Sequence, residues 1–339
     1  MSLFEATYTF TLQKYQQLLK IAANQSTDME TKDEMILARP MKHILQAGPE
    51  NRNILKLFVS SFNNWVKCPK DALKVCADIA NGLHEINLVL DDVLDGTILR
   101  RGLPSPHMVY GIPLTVQATL YKIFLIMQNL LCYADDRKDI ALDDFIKLGI
   151  RVFTGQGLEI YYRDSQRCPT FHEYSTLIRG KSTDALKWEV QWLKFCAKKE
   201  KMEFSEHLYH KMGLVLQLYG DYINLHNAKY ATVRGFCDDL DEGKFNFPII
   251  HAIQSHPNDH RLLDMLKRRP LDMESKKLFL DILESFGSFE YTRKELEKLK
   301  NGILIDVDNM NMGKNPQLER VLEDVLGNLE TEIYYDGCD

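Results

Sequence analysis

Residues 84–102, HEINLVLDDVLDGTILRRG, combine side chains whose types and spacing could do chemistry. Asp91 and Asp95 are one helical turn apart, so their carboxylates lie on one helix face, within joint reach of a hard cation. Mg²⁺ prefers oxygen ligands and is commonly held by one or two carboxylates together with phosphate oxygens of a substrate. Arg100 and Arg101 follow closely and offer planar donors that suit phosphate. The spacing predicts a magnesium and diphosphate site at the end of a helix.

A DDxxD motif by itself is more often a solvated helix end, so the residues around it decide between the two interpretations. The preceding turns are apolar and include Ile86 and Val89, which predicts a largely buried helix. Carboxylates at the end of a buried helix repel one another and need a partner. We therefore favour the metal interpretation, with Asp91, Asp92 and Asp95 as ligands.

Composition restricts the class of protein. The chain has 339 residues, 45% hydrophobic and 27% charged, as in a soluble globular protein. The net charge of −6 argues against nucleic-acid binding. Seven cysteines without CxxC spacing indicate reduced thiols and no zinc site. We find no secretion signal at the N-terminus and no prenylation box at the C-terminus, and we expect a cytoplasmic protein.

Helical patterns separated by short polar or Pro/Gly breaks follow a polar lead-in over residues 1–34. Apolar residues recur at three and four positions rather than alternating, and no break is long enough to divide two domains. The sequence therefore predicts one all-α domain over residues 35–339. The most apolar segment, residues 113–134, is interrupted by Gln117, Lys122, Gln128 and Asn129. We interpret it as a central buried helix, and we expect no transmembrane segment.

A second polar face occurs further along, in the string LVLQLYGDYINLH. Asp221 and Asn224 are three residues apart and share a helix face, with Gln217 one turn earlier. Lys181 begins another helix between the two acidic segments, and Lys244 follows a downstream acidic run. Taken singly, each of these residues is typical of a solvated face. The order of the strings carries the information.

That order resembles the trans-isoprenyl diphosphate synthases, particularly animal geranylgeranyl diphosphate synthases, over residues of about 35–327. The matching strings are DDVLD with TILRRG, GQGLEIYYRD, QLYGDYINLH, CDDLDEGKFNFPIIHAI and GSFEYTR. The resemblance implies an all-α isoprenoid synthase bundle around a deep apolar cavity, usually as a homodimer. In this family two acidic motifs hold Mg²⁺ on an allylic diphosphate. Ionisation leaves an allylic cation, which isopentenyl diphosphate attacks.

The resemblance implies a role for each matching residue. Asp91, Asp92 and Asp95 form the first metal motif, and Asp221 with Asn224 the second, for two or three Mg²⁺ ions, with Mn²⁺ as a substitute. The expected catalytic residues are the three aspartates of the first motif and Lys181.

The expected diphosphate contacts form two sets. Those on the allylic diphosphate are Arg100, Lys181, Ser182, Gln217, Arg234 and Lys244. Those on isopentenyl diphosphate are Arg52, His84 and Arg101. His84 lies two turns before Asp91 and faces the same way, although a hydrogen-bonded core histidine is the alternative.

Two departures from the family pattern affect the expected activity. The family's GKxxR reads GPENR here, so Pro49 replaces a lysine and Glu50 stands beside it. Losing one charge-assisted hydrogen bond costs roughly 1.5–3 kcal/mol. In the second metal motif Gly220 replaces the leading Asp, which leaves Asp221 and Asn224. Pro49 should weaken coupling to isopentenyl diphosphate, whereas Gly220 should weaken the cation-assisted loss of diphosphate without necessarily abolishing it and motivates a non-catalytic alternative.

The expected cavity is altered as well. Ile86 and Asn87 stand where animal geranylgeranyl diphosphate synthases tend to carry small side chains, and one turn of helix, ~5.4 Å, is comparable to one isoprene unit. Bulk at these positions should shorten the accepted chain. Trp188 and Trp192 are four residues apart and share a face. They could narrow the cavity and stabilise a cation through their π-faces, but core packing or a dimer contact is the interpretation we prefer.

Three functions remain open at this stage. We favour a terpene synthase, a carbon–oxygen lyase that ionises an allylic prenyl diphosphate, geranyl diphosphate first and farnesyl diphosphate next. The alternatives are a working prenyltransferase and a non-catalytic subunit that pairs with an active partner. The sequence identifies no proton-removing base.

Overall fold

A computed structural model describes residues 32–46, 54–134, 137–226, 235–327 and residue 329. Arg52 and Arg234, like Pro49 and Glu50, lie outside these ranges. Helices make up most of the described chain, as the sequence predicted. Their bounds are α1 Lys32–Ile44, α2 Ile54–Val66, α3 Lys70–Asp95, α4 Pro106–Tyr110, α5 Ile112–Ala134, α6 Lys138–Asp164, α7 Phe171–Ile178, α8 Asp184–Cys196, α9 Glu206–His226, α10 Asp238–Glu242, α11 Phe247–Ser255, α12 Arg261–Leu266, α13 Met273–Ser285, α14 Ser288–Asn309 and α15 Pro316–Gly327.

Helix α3 positions the first acidic motif. Its core face buries apolar side chains such as Ile86 and Val89, and the helix ends at Gly96, whose φ of 72° is left-handed. The N–H of Gly96 donates to the carbonyl of Asp92, which closes the last turn. The acidic motif thus occupies the negative end of the helix dipole, where carboxylates are unfavourable without nearby cations.

A short hairpin follows α3 and was not predicted from the sequence. Strands β1 (Leu99–Arg100) and β2 (Leu103–Pro104) are antiparallel. The two residues between them, Arg101 and Gly102, have φ values of 55° and 77°, as a tight type I′ turn requires. The hairpin folds the chain back over the end of α3 and buries Arg100 there.

Helix α8 runs antiparallel to α3 through the interior. A π-helical turn, Arg179–Thr183, leads directly into α8 and brings Lys181 to Asp91, near the C-terminal end of α3. At the opposite ends of the two helices, the thiol of Cys196 lies beside that of Cys76 and raises its pKa. Helix α8 also packs against α2 and α6. It is therefore a central helix of the described bundle.

Residues 113–134 form a helix, as predicted, but the prediction that this helix is centrally buried is wrong. These residues belong to α5, where 28% of the most apolar 18-residue stretch is buried and Phe124 is 66% exposed. Among the described helices, α5 is the one that is long and apolar enough to cross a membrane, and a single such helix is weak evidence for a membrane span. Composition does not tell whether an apolar helix meets its own chain or another surface, and that explains the error.

Candidate functional site

Charged side chains from several elements converge at the C-terminal end of α3. The end of α3 supplies two carboxylates, and α6 supplies a stripe of polar side chains. The π-helical turn and the segment after α10 each supply a lysine. Acids and bases alternate in this group, which we call the charged layer. Its acids are Asp91, Asp95, Glu159 and Glu242, and its bases are Arg163, Lys181 and Lys244.

Asp91 faces two neighbouring elements. Its Oδ1 accepts a hydrogen bond from Nε2 of Gln156 at 3.1 Å and lies 3.5 Å from Nζ of Lys181. Lys181 also pairs with the carboxylate of Glu159. Burial opposes the charge of Lys181, but the carboxylates of Asp91 and Glu159 raise its pKa, so the ammonium stays protonated.

Asp95 is held more tightly, between two cations. Its Oδ1 lies 2.7 Å from Nη1 of Arg163 and its Oδ2 lies 2.7 Å from Nζ of Lys244. Lys244 also pairs with Glu242 at 2.9 Å. Burial raises the pKa of Asp95 to about 7, with the negative charges of Asp91 and Glu242 adding to the effect and Lys244 opposing it. Carboxylates crowded to this degree favour the binding of additional positive charge.

Asp92, the middle aspartate of the motif in sequence, is fully buried. Its Oδ1 accepts from Nε of Arg100 at 2.7 Å and also pairs with Nη2 of the same guanidinium. Arg100 is itself buried, and its Nη2 lies 3.8 Å from Oδ2 of Asp91. In this conformation the pair joins the hairpin to α3. In this conformation Arg100 engages the Asp92 carboxylate, and the role of Asp92 as a metal ligand stays a prediction.

The second acidic motif is engaged in structural hydrogen bonds. Oδ2 of Asp221 accepts from Oη of Tyr174 at 2.6 Å and from the backbone N–H of Phe247 at 2.8 Å. Its Oδ1 accepts from Nε2 of Gln217 at 2.8 Å. Burial raises the pKa of Asp221 although these three donors lower it. Asn224 accepts from the backbone N–H of Asp239 at 3.2 Å, so the predicted ligand pair does not converge in this conformation.

The remaining predicted contacts lie on two sides of the charged layer. Ser182 donates from Oγ to Oε1 of Gln217 at 3.2 Å, next to Lys181. On the hairpin side, burial lowers the pKa of His84 to about 4, and the charges of Arg101 and Arg100 add to the effect. His84 is therefore neutral at pH 7 and lies beside two arginines. A neutral imidazole in this position would suit a hydrogen bond to a phosphate.

The predicted cavity-shaping residues do not share one environment. Ile86 is 1% exposed and belongs to the core, whereas Asn87 is exposed. The indoles of Trp188 and Trp192 stack with centroids 6.1 Å apart and planes 5° apart. Trp188 contacts Phe145, and both indoles are buried, as the core-packing interpretation requires.

Sequence reasoning did not assign a role to Gln156, Glu159 or Arg163. They stand at positions i, i+3 and i+7, so a polar stripe on α6 was a usable signal. Arg163 binds Asp95 and also donates to the backbone carbonyl of Leu94 at 3.2 Å. Tyr174, the donor to Asp221, had no comparable signal because the contact joins two different helices.

A divalent cation fits the charged layer only with help from a ligand. Among the described residues, no group of three or more His, Cys, Asp or Glu side chains converges as a metal site. Asp91 and Asp95 nevertheless present carboxylates one turn apart, and Mg²⁺ commonly completes its coordination with water and substrate phosphates. The bases that now pair with these carboxylates, Lys181, Lys244 and Arg163, are donors of the kind that a diphosphate requires.

Comparison with known proteins agrees with this geometry. A family model described as polyprenyl synthetase matches residues 34–283. A terpene synthase from Matsumurasca onukii is 36% identical over 304 residues, which cover 89% of this chain and 96% of that protein. A geranylgeranyl pyrophosphate synthase from Mucor circinelloides f. lusitanicus is 34% identical over 303 residues, 89% of this chain and 96% of that protein. Another such synthase, from Gibberella zeae, is 35% identical over 286 residues, covering 84% and 76%.

Proposed function

Because the chain belongs to the polyprenyl synthetase family, we propose that it is a Mg²⁺-dependent terpene synthase, which ionises an allylic prenyl diphosphate and releases a terpene and diphosphate. The observation that supports ionisation most is the retained first acidic motif, and Pro49, in place of the family's lysine, disfavours coupling to isopentenyl diphosphate. The first motif retains Asp91 and Asp95 among lysines, as ionisation requires. In the second motif, Gly220 replaces a carboxylate and Asp221 is engaged by three donors.

The residues of the charged layer would bind and orient the diphosphate. Lys181 and Lys244 exchange their contacts with carboxylates for phosphate oxygens, and Arg163 keeps Asp95 in place. When bound, Mg²⁺ neutralises the diphosphate and makes it a better leaving group. The bond between C1 and the diphosphate oxygen breaks, and its electron pair leaves with the diphosphate. The allylic cation would then lose a proton to the departing diphosphate, or capture water that gives up a proton to the same anion.

The relatives support two candidate functions, which differ in the product that is released. The terpene synthase from Matsumurasca onukii has a similar sequence over nearly its whole length, which favours the proposal. The geranylgeranyl pyrophosphate synthases are similar to almost the same degree and favour a second candidate, a prenyltransferase that couples the cation to isopentenyl diphosphate. In that candidate His84 and Arg101 would contribute to binding the second diphosphate.

A homodimer would cover the exposed apolar side chains of α5 and α6. These helices pack against each other and expose residues at helical spacing, namely Leu120, Phe124, Ile146, Ile150 and Phe153. A contiguous apolar surface of this kind is typical of a protein interface. We propose a second copy of the chain as its partner. Light scattering should then give twice the mass of the chain, and Phe124→Glu should produce a folded monomer; a monomeric wild type would exclude the dimer.

The deciding experiment is an assay of the purified chain with Mg²⁺ and geranyl diphosphate, with and without isopentenyl diphosphate. Headspace volatiles and prenyl diphosphates are both measured, and Asp91→Ala is the control. A hydrocarbon or alcohol formed without isopentenyl diphosphate, and absent from the control, supports the proposal. Longer diphosphates formed only with isopentenyl diphosphate support the prenyltransferase. Neither product from folded protein, also after farnesyl diphosphate is tried, indicates a non-catalytic subunit.

A further inference from the structure

The turn that carries Lys244 is held by an arginine from a later part of the chain. Arg269 lies between α12 and α13, and its Nη1 donates to the backbone carbonyl of Glu242, the last residue of α10. The last carbonyls of a helix have no partner within that helix, so a donor from another element satisfies one of them here. Arg269 therefore contacts the backbone two residues before a lysine of the charged layer.

The conformation of this turn leaves room for the arginine. Gly243 follows α10 with a φ of 73°, and the N–H of Lys244 donates back to the carbonyl of Asp239 at 2.9 Å, as in a common helix C-cap. A Cβ at Gly243 would clash with Nη1 and Cδ of Arg269, and a side chain there would also strain the left-handed backbone. Glycine thus lets the guanidinium lie directly against the turn.

The same guanidinium also reaches the end of α6. Its Nη2 lies 3.4 Å from Oδ1 of Asp164, which accepts from Nε of Arg163 at 2.9 Å. Arg163 pairs with Asp95, and Asp95 pairs with Lys244. The contacts therefore form a closed ring, which leaves the charged layer at Arg163 and returns to it at Lys244 through Arg269 and the turn. A planar guanidinium can serve two partners because its donors form a fixed fork.

The ammonium of Lys244 depends on this turn for its position. Lys244 is 8% exposed, and its Nζ lies 2.7 Å from Oδ2 of Asp95 and 2.9 Å from Oε2 of Glu242. Oε1 of Glu242 accepts from Oγ1 of Thr97 at 3.0 Å, so this carboxylate is itself fixed. A diphosphate that binds Lys244 takes the ammonium away from both carboxylates. The flexible stem of a lysine is then directed mainly by the backbone from which it starts.

We propose that Arg269 is a positioning residue for Lys244. It holds the backbone of the turn after α10 and so directs the ammonium towards the diphosphate. This role requires no contact between Arg269 and the ligand, and the effect of Arg269 on binding should therefore pass through Lys244. The identity of the ligand rests on the proposed function.

The test measures binding and stability rather than turnover. Calorimetry in the presence of Mg²⁺ gives the affinity for geranyl thiolodiphosphate, whose C–S bond resists ionisation, and denaturant melts give the free energy of unfolding. The variants are Arg269→Ala, Lys244→Ala and the double variant. The side chain of Arg269 is 32% exposed and borders a recess of about 240 Å³ that opens to solvent, so water can replace it in the Ala variant.

Two further variants separate the position of the guanidinium from its charge. Lys267→Ala is the matched control, because it removes the same charge from the same loop, where Lys267 is exposed and pairs with Asp264. Gly243→Ala displaces the guanidinium from the turn but keeps its charge. It is also the second route to the answer if Arg269→Ala does not fold.

Arg269→Ala should weaken binding of the analogue by about three- to tenfold, which is part of the roughly 10- to 150-fold loss that removal of a charge-assisted contact implies for Lys244→Ala. In the Lys244→Ala background, Arg269→Ala should cause no further loss of affinity, although it should still lower the free energy of unfolding. Gly243→Ala should weaken binding as Arg269→Ala does, and Lys267→Ala should bind as the wild type does.

Three results would overturn the inference while the proposed function stands. The first is wild-type affinity in Arg269→Ala, or in Gly243→Ala where Arg269→Ala does not fold. The second is an equal loss from Arg269→Ala with and without Lys244. The third is a loss of the same size in Lys267→Ala, because charge alone would then account for the effect. Failure of the wild type to bind the analogue overturns the inference and the proposed function together.

Discussion

Gly220 offers the sharpest test of how far the second acidic motif limits this enzyme. It lies inside α9, three residues after Gln217 and four before Asn224, and therefore on the face that these two residues share. A Cβ at this position would meet no atom within 4 Å. A side chain can thus be introduced without a clash, and any effect reports on its chemistry.

The effects on stability and on function separate cleanly. Replacing Gly by Ala in a helix interior stabilises by about 0.8–1 kcal/mol, whereas Asp is one of the poorer helix formers. We expect Gly220→Ala to raise the free energy of unfolding by about 1 kcal/mol, and Gly220→Asp to leave it nearly unchanged. A charge-assisted contact contributes roughly 1.5–3 kcal/mol. A carboxylate restored here should therefore lower the Mg²⁺ concentration for half-maximal turnover by about 10- to 150-fold.

The assay is the Mg²⁺ dependence of geranyl diphosphate turnover in the wild type and three variants. Gly220→Asn has the shape of Asp without its charge, and Gly220→Ala reports the helix effect alone. Only Gly220→Asp should shift the Mg²⁺ dependence. Equal Mg²⁺ dependence in the Asp and Asn variants would refute the reasoning, because it would mean that a carboxylate at this position does not reach the metal.

Three further predictions follow from buried ionisable groups. The pKa of His84 is about 4 in the folded protein, against 6.5 for an unperturbed histidine, so the unfolded chain gains a proton first as pH falls. The free energy of unfolding should therefore fall by about 3 kcal/mol between pH 6.5 and pH 4. Urea melts of His84→Asn should lack that loss. Burial raises the pKa of Glu189 from 4.5 to about 8, so the free energy of unfolding falls as pH rises through this range. The free energy of unfolding of Glu189→Gln should exceed that of the wild type by about 4 kcal/mol at pH 8 and match it at pH 4.5. Equal pH profiles of the two proteins would contradict the assigned burial. Asp92→Asn breaks the buried pair with Arg100 and should lower the free energy of unfolding by about 3–5 kcal/mol. Asp91→Asn should lower it far less but abolish turnover. Denaturant melts and product assays of the two variants therefore separate a structural aspartate from a metal ligand.

Much of the site was predictable from the sequence because its determinants are local. Helical periodicity predicted the all-α fold, and the spacing of Asp91 and Asp95 placed both carboxylates on one face, as the structure has them. The stripe of Gln156, Glu159 and Arg163 was readable in the same way. Each of these features depends on geometry within one helix, which is the same in any fold.

Only the tertiary structure decided the contacts between elements that are distant in the chain. The hairpin returns Arg100 to Asp92, and Tyr174 reaches across to Asp221, so in this conformation two predicted ligands also connect separate elements of the fold. The exposure of α5 and the burial of Glu189 likewise depend on which surfaces meet. Spacing along one helix specifies a face but not what covers it. A carboxylate becomes a ligand, a structural acceptor or an unpaired acid only through the neighbours that packing brings to it.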